Sequence, residues 1–129
     1  MNDRLLLLLP TTTYRTQAFV DAATKLGVDL VCAADQPNVF EESAPDHLVT
    51  LDFNNPERAA ARIAELHRRT PITAVVAVDD LTTVVASTIA ERLGLPANSV
   101  AATSAARNKH EMRCRLAAAN LPVPAFRLV

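Results

Sequence analysis

Three short segments of this 129-residue chain carry polar side chains that could do chemistry. Thr11–Thr13 directly follow an apolar run, and their hydroxyls, with the free amides of a following helix, could hold an anion. Asp79 and Asp80 leave a second apolar run, where a carboxylate could accept a hydrogen bond from a substrate amine or orient a basic group. Lys109 and Arg113 lie one turn apart near a helix start, where two cations are unfavourable unless an anion lies nearby.

Each segment also has a purely structural explanation. Thr12 or Thr13 could do no more than cap the helix that follows. Asp80 is a natural N-cap for the helix after the second run, which leaves Asp79 as the stronger candidate to face a ligand. The spacing of Lys109 and Arg113 alone favours a solvated basic face.

Several well-known motifs are missing from the sequence. The segment Pro10–Arg15 contains no glycine, so neither a dinucleotide fingerprint nor a Walker loop is present, and close backbone wrapping of a pyrophosphate is not expected. There is no G-x-S-x-G elbow. We predict no metal site, because the histidines lack the mutual spacing and the neighbouring thiols that would indicate one. We also expect neither cysteine to have a nearby activating base. These residues are His47, His67, His110, Cys32 and Cys114.

The composition limits the class of protein. A chain of 129 residues can build one core, so we expect one domain with an appendage. Thirteen basic and fourteen acidic residues give a net charge of −1, which argues against general binding to nucleic acid. The leucine run Leu5–Leu9 is much shorter than a membrane span and has no cleavage site after it, so we predict neither a membrane segment nor a signal peptide. Two cysteines without a CxxC partner are typical of idle thiols in a reducing compartment, so we predict a cytoplasmic protein.

Four apolar runs predict the strands of a parallel sheet, because strands buried on both faces read as continuous apolar segments. Helical patterns lie between most of the runs, which predicts an α/β fold: an open, mainly parallel, Rossmann-like sheet with helices on both faces in three layers, and the first strand near its middle. The segment 34–46 is irregular and could be a loop or a short helix. The four runs are Leu5–Leu9, Val28–Ala33, His47–Leu51 and Ile72–Val78.

Four helices are predicted from their apolar stripes and end signals. Gly27 should end the first, Asn55 should cap the second, and Asn108 with Glu111 has the spacing of a capping box that starts the last helix near Lys109. The inward stripes are predicted as Phe19, Ala22, Ala23 and Leu26; Ala60, Ile63, Ala64 and His67; Leu81, Val84, Val85, Thr88 and Ile89; and Met112, Leu116 and Ala119.

With these segments in order, nearly the whole sequence resembles the N-terminal part of ATP-grasp ligases. The likeness rests on "RLLLLL", "KLGVDLV", "AVVAVDD", "ERLGLP" and "ARNKHEMRCRLAAANLPVPAF". Two departures stand out: Asn108-Lys109 replaces the Asp-Lys pair of many members, and "NLPVP" lacks the usual glycine, so Asn120 should take over the end of the helix.

The resemblance implies both an organisation and a function. Residues 1–106 would form the domain that precedes the ATP-grasp domain, and residues 107–129 would form a linker helix and the first strand leading into an ATP-grasp domain beyond Val129. The whole protein would use ATP and Mg²⁺, bound mainly by that further domain, to activate a small-molecule carboxylate as an acyl phosphate and pass it to an amine. The 129 residues alone would be inactive.

The resemblance also assigns roles to the three polar segments. Lys109, with Arg113, would contact nucleotide phosphate, and Thr11–Thr13, Asp79 and Asp80 would form part of the substrate site. We expect a homodimer as one candidate assembly. Two other interpretations remain: a stand-alone flavodoxin-like module for small-molecule binding or oligomerisation, and a dehydrogenase fragment, which the missing glycine fingerprint disfavours.

Overall fold

The computed structural model describes residues 3–13 and 15–129 and contains a four-stranded parallel sheet. Its strands are β1 (Arg4–Leu8), β2 (Asp29–Ala34), β3 (Leu48–Thr50) and β4 (Ala74–Ala77), in the spatial order β3-β2-β1-β4. Leu6 aligns with Val31 on one side and with Val75 on the other. The predicted parallel sheet, with its first strand in the interior, is confirmed.

The third and fourth predicted runs are longer than the strands β3 and β4, whereas the first two have the same length as β1 and β2 and are displaced by one residue. Leu51 and Ile72 are buried but lie outside β3 and β4. Apolar character reports burial, whereas a strand also needs a hydrogen-bonding neighbour, so burial extends past the paired residues.

The helices are α1 (Thr16–Leu26), α2 (Pro56–Arg69), α3 (Thr83–Leu93), α4 (Val100–Arg107) and α5 (Lys109–Ala118), with a 3₁₀ turn at Asp80–Thr82 before α3. α4 was not predicted, because its alanine-rich sequence has no clear apolar stripe. Its start is nevertheless marked by Ser99, whose Oγ accepts from the Ala102 amide at 3.1 Å. The segment 34–46 forms turns and no helix after β2 ends.

The main core lies between one face of the sheet and the helices α2 and α3. Asn55 caps α2 as predicted, accepting from the Arg58 amide at 3.1 Å. The predicted stripe of α2 is partly wrong: Ala59 and Leu66 are fully buried, whereas Ala64 and His67 are only half-buried. The core is formed by Leu6, Leu8, Val31, Ala33, Val49, Leu51, Phe53, Ala59, Ala60, Ile63, Leu66, Ile72, Val85, Ala86 and Ile89.

The opposite face of the sheet is covered by α1, which contacts β2. Gly27 ends α1 in the left-handed conformation, with φ of 67°, as the sequence predicts. The predicted stripe is wrong at Ala22, which is exposed, and at Leu26, which is 77% exposed, whereas Ala23 is the buried residue of this helix.

The chain ends with α5 and an extended tail. Asn108 Oδ1 accepts from the Glu111 amide at 3.1 Å, which confirms the cap. Glu111 does not reach back to Asn108 but binds Arg115 at 2.7 Å. Asn120 takes the left-handed role expected of it, with φ of 58°, while the Leu121 amide donates to the Leu116 carbonyl at 3.0 Å.

Residues 121–129 lie in no helix or strand, so the first strand expected there stays a prediction. None of the described helices is long and apolar enough to cross a membrane.

Candidate substrate site at the carboxyl edge of the sheet

The two loops singled out in the sequence lie at the same edge of the sheet. β1 and β4 are neighbours and parallel, so the segments that leave their carboxyl ends, Thr11–Thr13 and Asp79–Asp80, emerge side by side. β1 leads into α1 on one face, and β4 leads into α3 on the other. In open α/β sheets, this divergence between neighbouring strands creates a crevice in which ligands bind.

The threonine loop, Thr11–Thr13, is held by hydrogen bonds that its backbone amides donate. These bonds leave its hydroxyls available. The Thr13 amide donates to the Pro10 carbonyl at 2.9 Å, and the Thr11 amide donates to Asp35 Oδ1 at 3.0 Å. No side-chain hydrogen bond caps α1 within the described residues. The hydrogen bond from the Arg15 amide to Thr13 Oγ1 is long, at 3.5 Å, so the helix-capping explanation of these threonines is not supported. Tyr14, which belongs to the predicted segment, lies outside the described residues.

A cavity of about 320 Å³ opens beside this loop, on the side of β2 rather than of β4. Of the residues that line this cavity, the sequence analysis predicted only Thr11 and Thr13 as site residues. The segment after β2, which carries Gln36 and Asn38, could have indicated them, because it emerges at the same edge as the threonine loop. The lining residues are Leu9, Pro10, Thr11, Thr13, Thr16, Cys32, Ala34, Gln36, Asn38, Leu48 and Val49.

The two aspartates after β4 have different roles from those predicted. Asp79 Oδ1 accepts from the Leu81 amide at 3.1 Å, so Asp79 and not Asp80 is the cap. The reason is the 3₁₀ turn, which begins at Asp80 and moves the capping position one residue earlier. Leu81, predicted to face the core, is 44% exposed for the same reason. Asp80 is exposed and lies 3.5 Å from Nε of Arg107 at the end of α4.

Among the described residues, the basic pair on α5 makes no hydrogen bond to the threonine loop. Lys109 is exposed, and its side chain makes no hydrogen bond or ion pair with any described residue. Arg113 lies with its guanidinium carbon 6.0 Å from the centre of the Phe126 ring. The Asp80–Arg107 ion pair is the contact that brings the loop after β4 close to the start of α5.

His110 and Cys114 correct one expectation. The expectation that neither cysteine has a nearby base is wrong for Cys114, because the two residues are one turn apart on α5 and Cys114 Sγ lies 3.7 Å from His110 Nε2. Both side chains are exposed. The other cysteine, Cys32, is half-buried in β2, and burial raises the pKa of its thiol.

A clasp at Glu41 fixes the segment between β2 and β3. Its carboxylate accepts from the Thr50 amide at 3.1 Å, from the Thr50 hydroxyl, and from Arg62 Nη2 at 2.8 Å. The hydrogen bond from the Thr50 hydroxyl is the main reason why the pKa of Glu41 lies below its usual value, and Arg62 acts in the same direction. The clasp therefore connects the segment that carries Gln36 and Asn38 to the edge strand β3 and to α2.

Comparison with protein families identifies the fold. A family model described as the ATP-grasp N-terminal domain matches residues 20–97, from within α1 to the turn that follows α3. The chain belongs to the ATP-grasp N-terminal domain family. Among curated proteins, no relative matches it.

Two solved structures share the fold of this ATP-grasp N-terminal domain. The L-amino acid ligase from Bacillus licheniformis aligns with 98% of the chain at a TM-score of 0.76 and 19% identity. Phosphoribosylglycinamide synthetase from Anaerococcus prevotii aligns with 93% of the chain at a TM-score of 0.67 and 19% identity. The chain spans only 32% and 30%, respectively, of these two proteins. At such low identity, the likeness concerns the fold alone.

Proposed function

We propose that this chain is the N-terminal, substrate-side domain of an ATP-dependent ligase that joins a small-molecule carboxylate to an amine. The observation on which this rests is the match of residues 20–97 to the ATP-grasp N-terminal domain. The names of the two structural neighbours, a ligase and a synthetase, support the same reaction class. ATP would supply the phosphoryl group that converts the carboxylate into an acyl phosphate, from which the amine displaces phosphate.

In this proposal the crevice between β1 and β4 positions the substrate. The hydroxyls of Thr11 and Thr12 are exposed and can donate to a carboxylate or a carbonyl oxygen. Asp79 acts mainly through its bond to the Leu81 amide, which fixes the loop, while its second oxygen can still accept from an amine. Catalysis of this kind depends largely on positioning and on stabilising charge, so these groups need not react themselves.

The described residues fit a contact with a nucleotide phosphate but not a magnesium site. Lys109 fits a phosphate contact, because it is an exposed cation that no described residue neutralises. A magnesium site does not fit the residues present: Asp79 binds a backbone amide and Asp80 faces Arg107. Residues 3–13 and 15–129 contain no cluster of three or more His, Cys, Asp or Glu that could hold a metal ion. We therefore assign the Mg²⁺ of the family, and most ATP contacts, to residues of another domain.

Three further expectations go with this function. The partners are a small-molecule carboxylate and an amine, and neither nucleic acid nor a membrane is a partner. We also propose a cytoplasmic location, which fits the two free cysteines, and a homodimer as a candidate assembly.

The test is a trapping assay on the full-length protein. It is incubated with ATP, Mg²⁺ and panels of carboxylates and amines, with hydroxylamine added to capture an acyl phosphate as a hydroxamate. We expect ADP release that depends on a specific carboxylate, and a hydroxamate of that carboxylate. ADP release with no carboxylate dependence, or none at all, would contradict the proposal and favour a stand-alone binding module.

A further inference from the structure

We infer that the cavity beside β2 receives an uncharged side group of the substrate, and that Cys32 limits the size of the group that fits. This inference rests on the proposed ligase function but concerns a different part of the edge from the crevice between β1 and β4. Most of the cavity wall is apolar, and its smaller polar part is formed by threonines and side-chain amides. No charged residue lines the cavity.

Two acidic residues beside the cavity already accept hydrogen bonds. Asp35, which lies between the lining residues Ala34 and Gln36, accepts from the Thr11 amide through Oδ1. Glu41 is held by Thr50 and Arg62. A charged group that entered the cavity would lose its water without meeting a counter-ion among the lining residues, which is costly. An uncharged group gains from the apolar wall and can still hydrogen-bond to Gln36 or Asn38.

The size of the cavity points to a small group. Its volume of about 320 Å³ is near the lower end of the range of roughly 300–1,000 Å³ that is usual for ligand pockets. That space suits an aliphatic or amide side group of an amino acid and is too small for a nucleotide. Thr11 and Thr13 line the cavity and also belong to the substrate loop. One molecule could therefore place its polar head at the threonines and its side group in the cavity.

Cys32 gives the cavity its size limit. It lies within β2, paired in register with Leu7 on one side and Leu48 on the other, so a rigid sheet fixes its position. Burial raises the pKa of its thiol, so this wall stays uncharged at neutral pH. A larger side chain at this position would fill the space that the side group needs.

The first experiment measures binding without relying on ligase activity. The methyl resonances of Leu9, Leu48 and Val49 are followed by NMR while L-valine, L-leucine, L-glutamate or L-lysine is added to millimolar concentration. We expect the two aliphatic amino acids to move these resonances and the two charged ones to leave them unchanged, with Ile89 in the α3 core as the internal reference. Equal responses to charged and aliphatic probes, or no response to any of them, would overturn the inference.

The second experiment changes the size of the cavity. Cys32→Leu should weaken the response to L-leucine by about tenfold, whereas Cys32→Ser, of nearly equal size, should keep it. Cys114→Ser, on the exposed α5, is the control for loss of a thiol. Ala34→Val, on the same wall, is the second filling variant should Cys32→Leu fail to fold. An unchanged response in the folded filling variant would overturn the role of Cys32.

The two proposals fail in different ways. Carboxylate-dependent ADP release by the full-length protein, together with no selective shift at the cavity, would remove this inference and leave the ligase function standing. Selective shifts without any ADP release would support the cavity as a binding site and contradict the ligase.

Discussion

Lys109 differs from the cations beside it at the junction of α4 and α5. Arg107 faces Asp80 and Arg115 binds Glu111, so each of these charges is partly neutralised. Lys109 has no such partner among the described residues, so its ammonium is free to meet a phosphate. We expect Lys109→Ala in the full-length protein to raise the KM for ATP roughly tenfold, which corresponds to about 1.4 kcal/mol. Steady-state kinetics with varied ATP measures this.

The matched control for Lys109 is Arg115→Ala, which removes a cation from the same helix. It should leave the KM for ATP unchanged, because Arg115 is paired with Glu111. Circular dichroism should show that both variants keep the fold, since both side chains are exposed. Equal KM values for Lys109→Ala and the unmodified protein would refute the phosphate contact.

Glu41 provides a second prediction at this scale, on stability. Glu41→Gln should lower the free energy of unfolding by about 1 kcal/mol, because the hydrogen bonds from Thr50 and Arg62 lose their ionic acceptor. The pKa of Glu41 is lowered in the folded protein, so its stabilisation is present above the unfolded-state pKa, which is about 4.3. It is lost as the pH falls through the lower, folded-state pKa.

Thermal unfolding between neutral and strongly acidic pH checks this dependence. The difference between the native chain and Glu41→Gln should shrink towards acid. Glu42→Gln, a change at the exposed neighbouring carboxylate, should show little difference at any pH. A gap for Glu41→Gln that stays constant down to strongly acidic pH would contradict the role of its charge.

At the scale of elements, sequence patterns located most of the fold but not its edges. The buried strands were recognisable because burial on both faces gives unbroken apolar runs, and Asn55, Gly27 and Asn108 marked helix ends through local chemistry. α4 was missed because an alanine-rich helix has no strong stripe. The lining of the cavity beside β2 was missed because the pairing of β1 with β2 brings Cys32 and Gln36 to the same cavity as Thr11, and strand pairing is not a local property of the sequence.

Asp79, rather than Asp80, caps the turn that precedes α3, and this gives a prediction on stability. Asp79→Ala should lower the free energy of unfolding by about 1 kcal/mol, because the Leu81 amide loses its acceptor. Asp80→Ala should change the free energy by less than about 0.5 kcal/mol, because it removes only an exposed ion pair. Urea denaturation of both variants measures the two values. The opposite order would show that Asp80 is the cap after all.

At the scale of the whole molecule, the groups assigned to the substrate and to the nucleotide lie on different elements. The threonine loop follows the interior strand β1 of the sheet. Lys109, in contrast, begins a helix that contributes no fully buried residue and contacts α4. No hydrogen bond among the described residues links the Lys109 side chain to Thr11–Thr13. A nucleotide at Lys109 would therefore touch this domain through a few exposed side chains, and few contacts give low affinity.

This arrangement predicts how the 129-residue chain behaves by itself. It should show no ligase activity and at most weak, millimolar binding of ATP, whether or not Mg²⁺ is present, because it offers Lys109 but no metal site among its described residues. Isothermal titration calorimetry with ATP, with and without Mg²⁺, measures this, and the full-length protein under the same conditions is the comparison. Micromolar, magnesium-dependent binding by these 129 residues would place a complete nucleotide site within the chain and contradict the assignment of most ATP contacts to another domain.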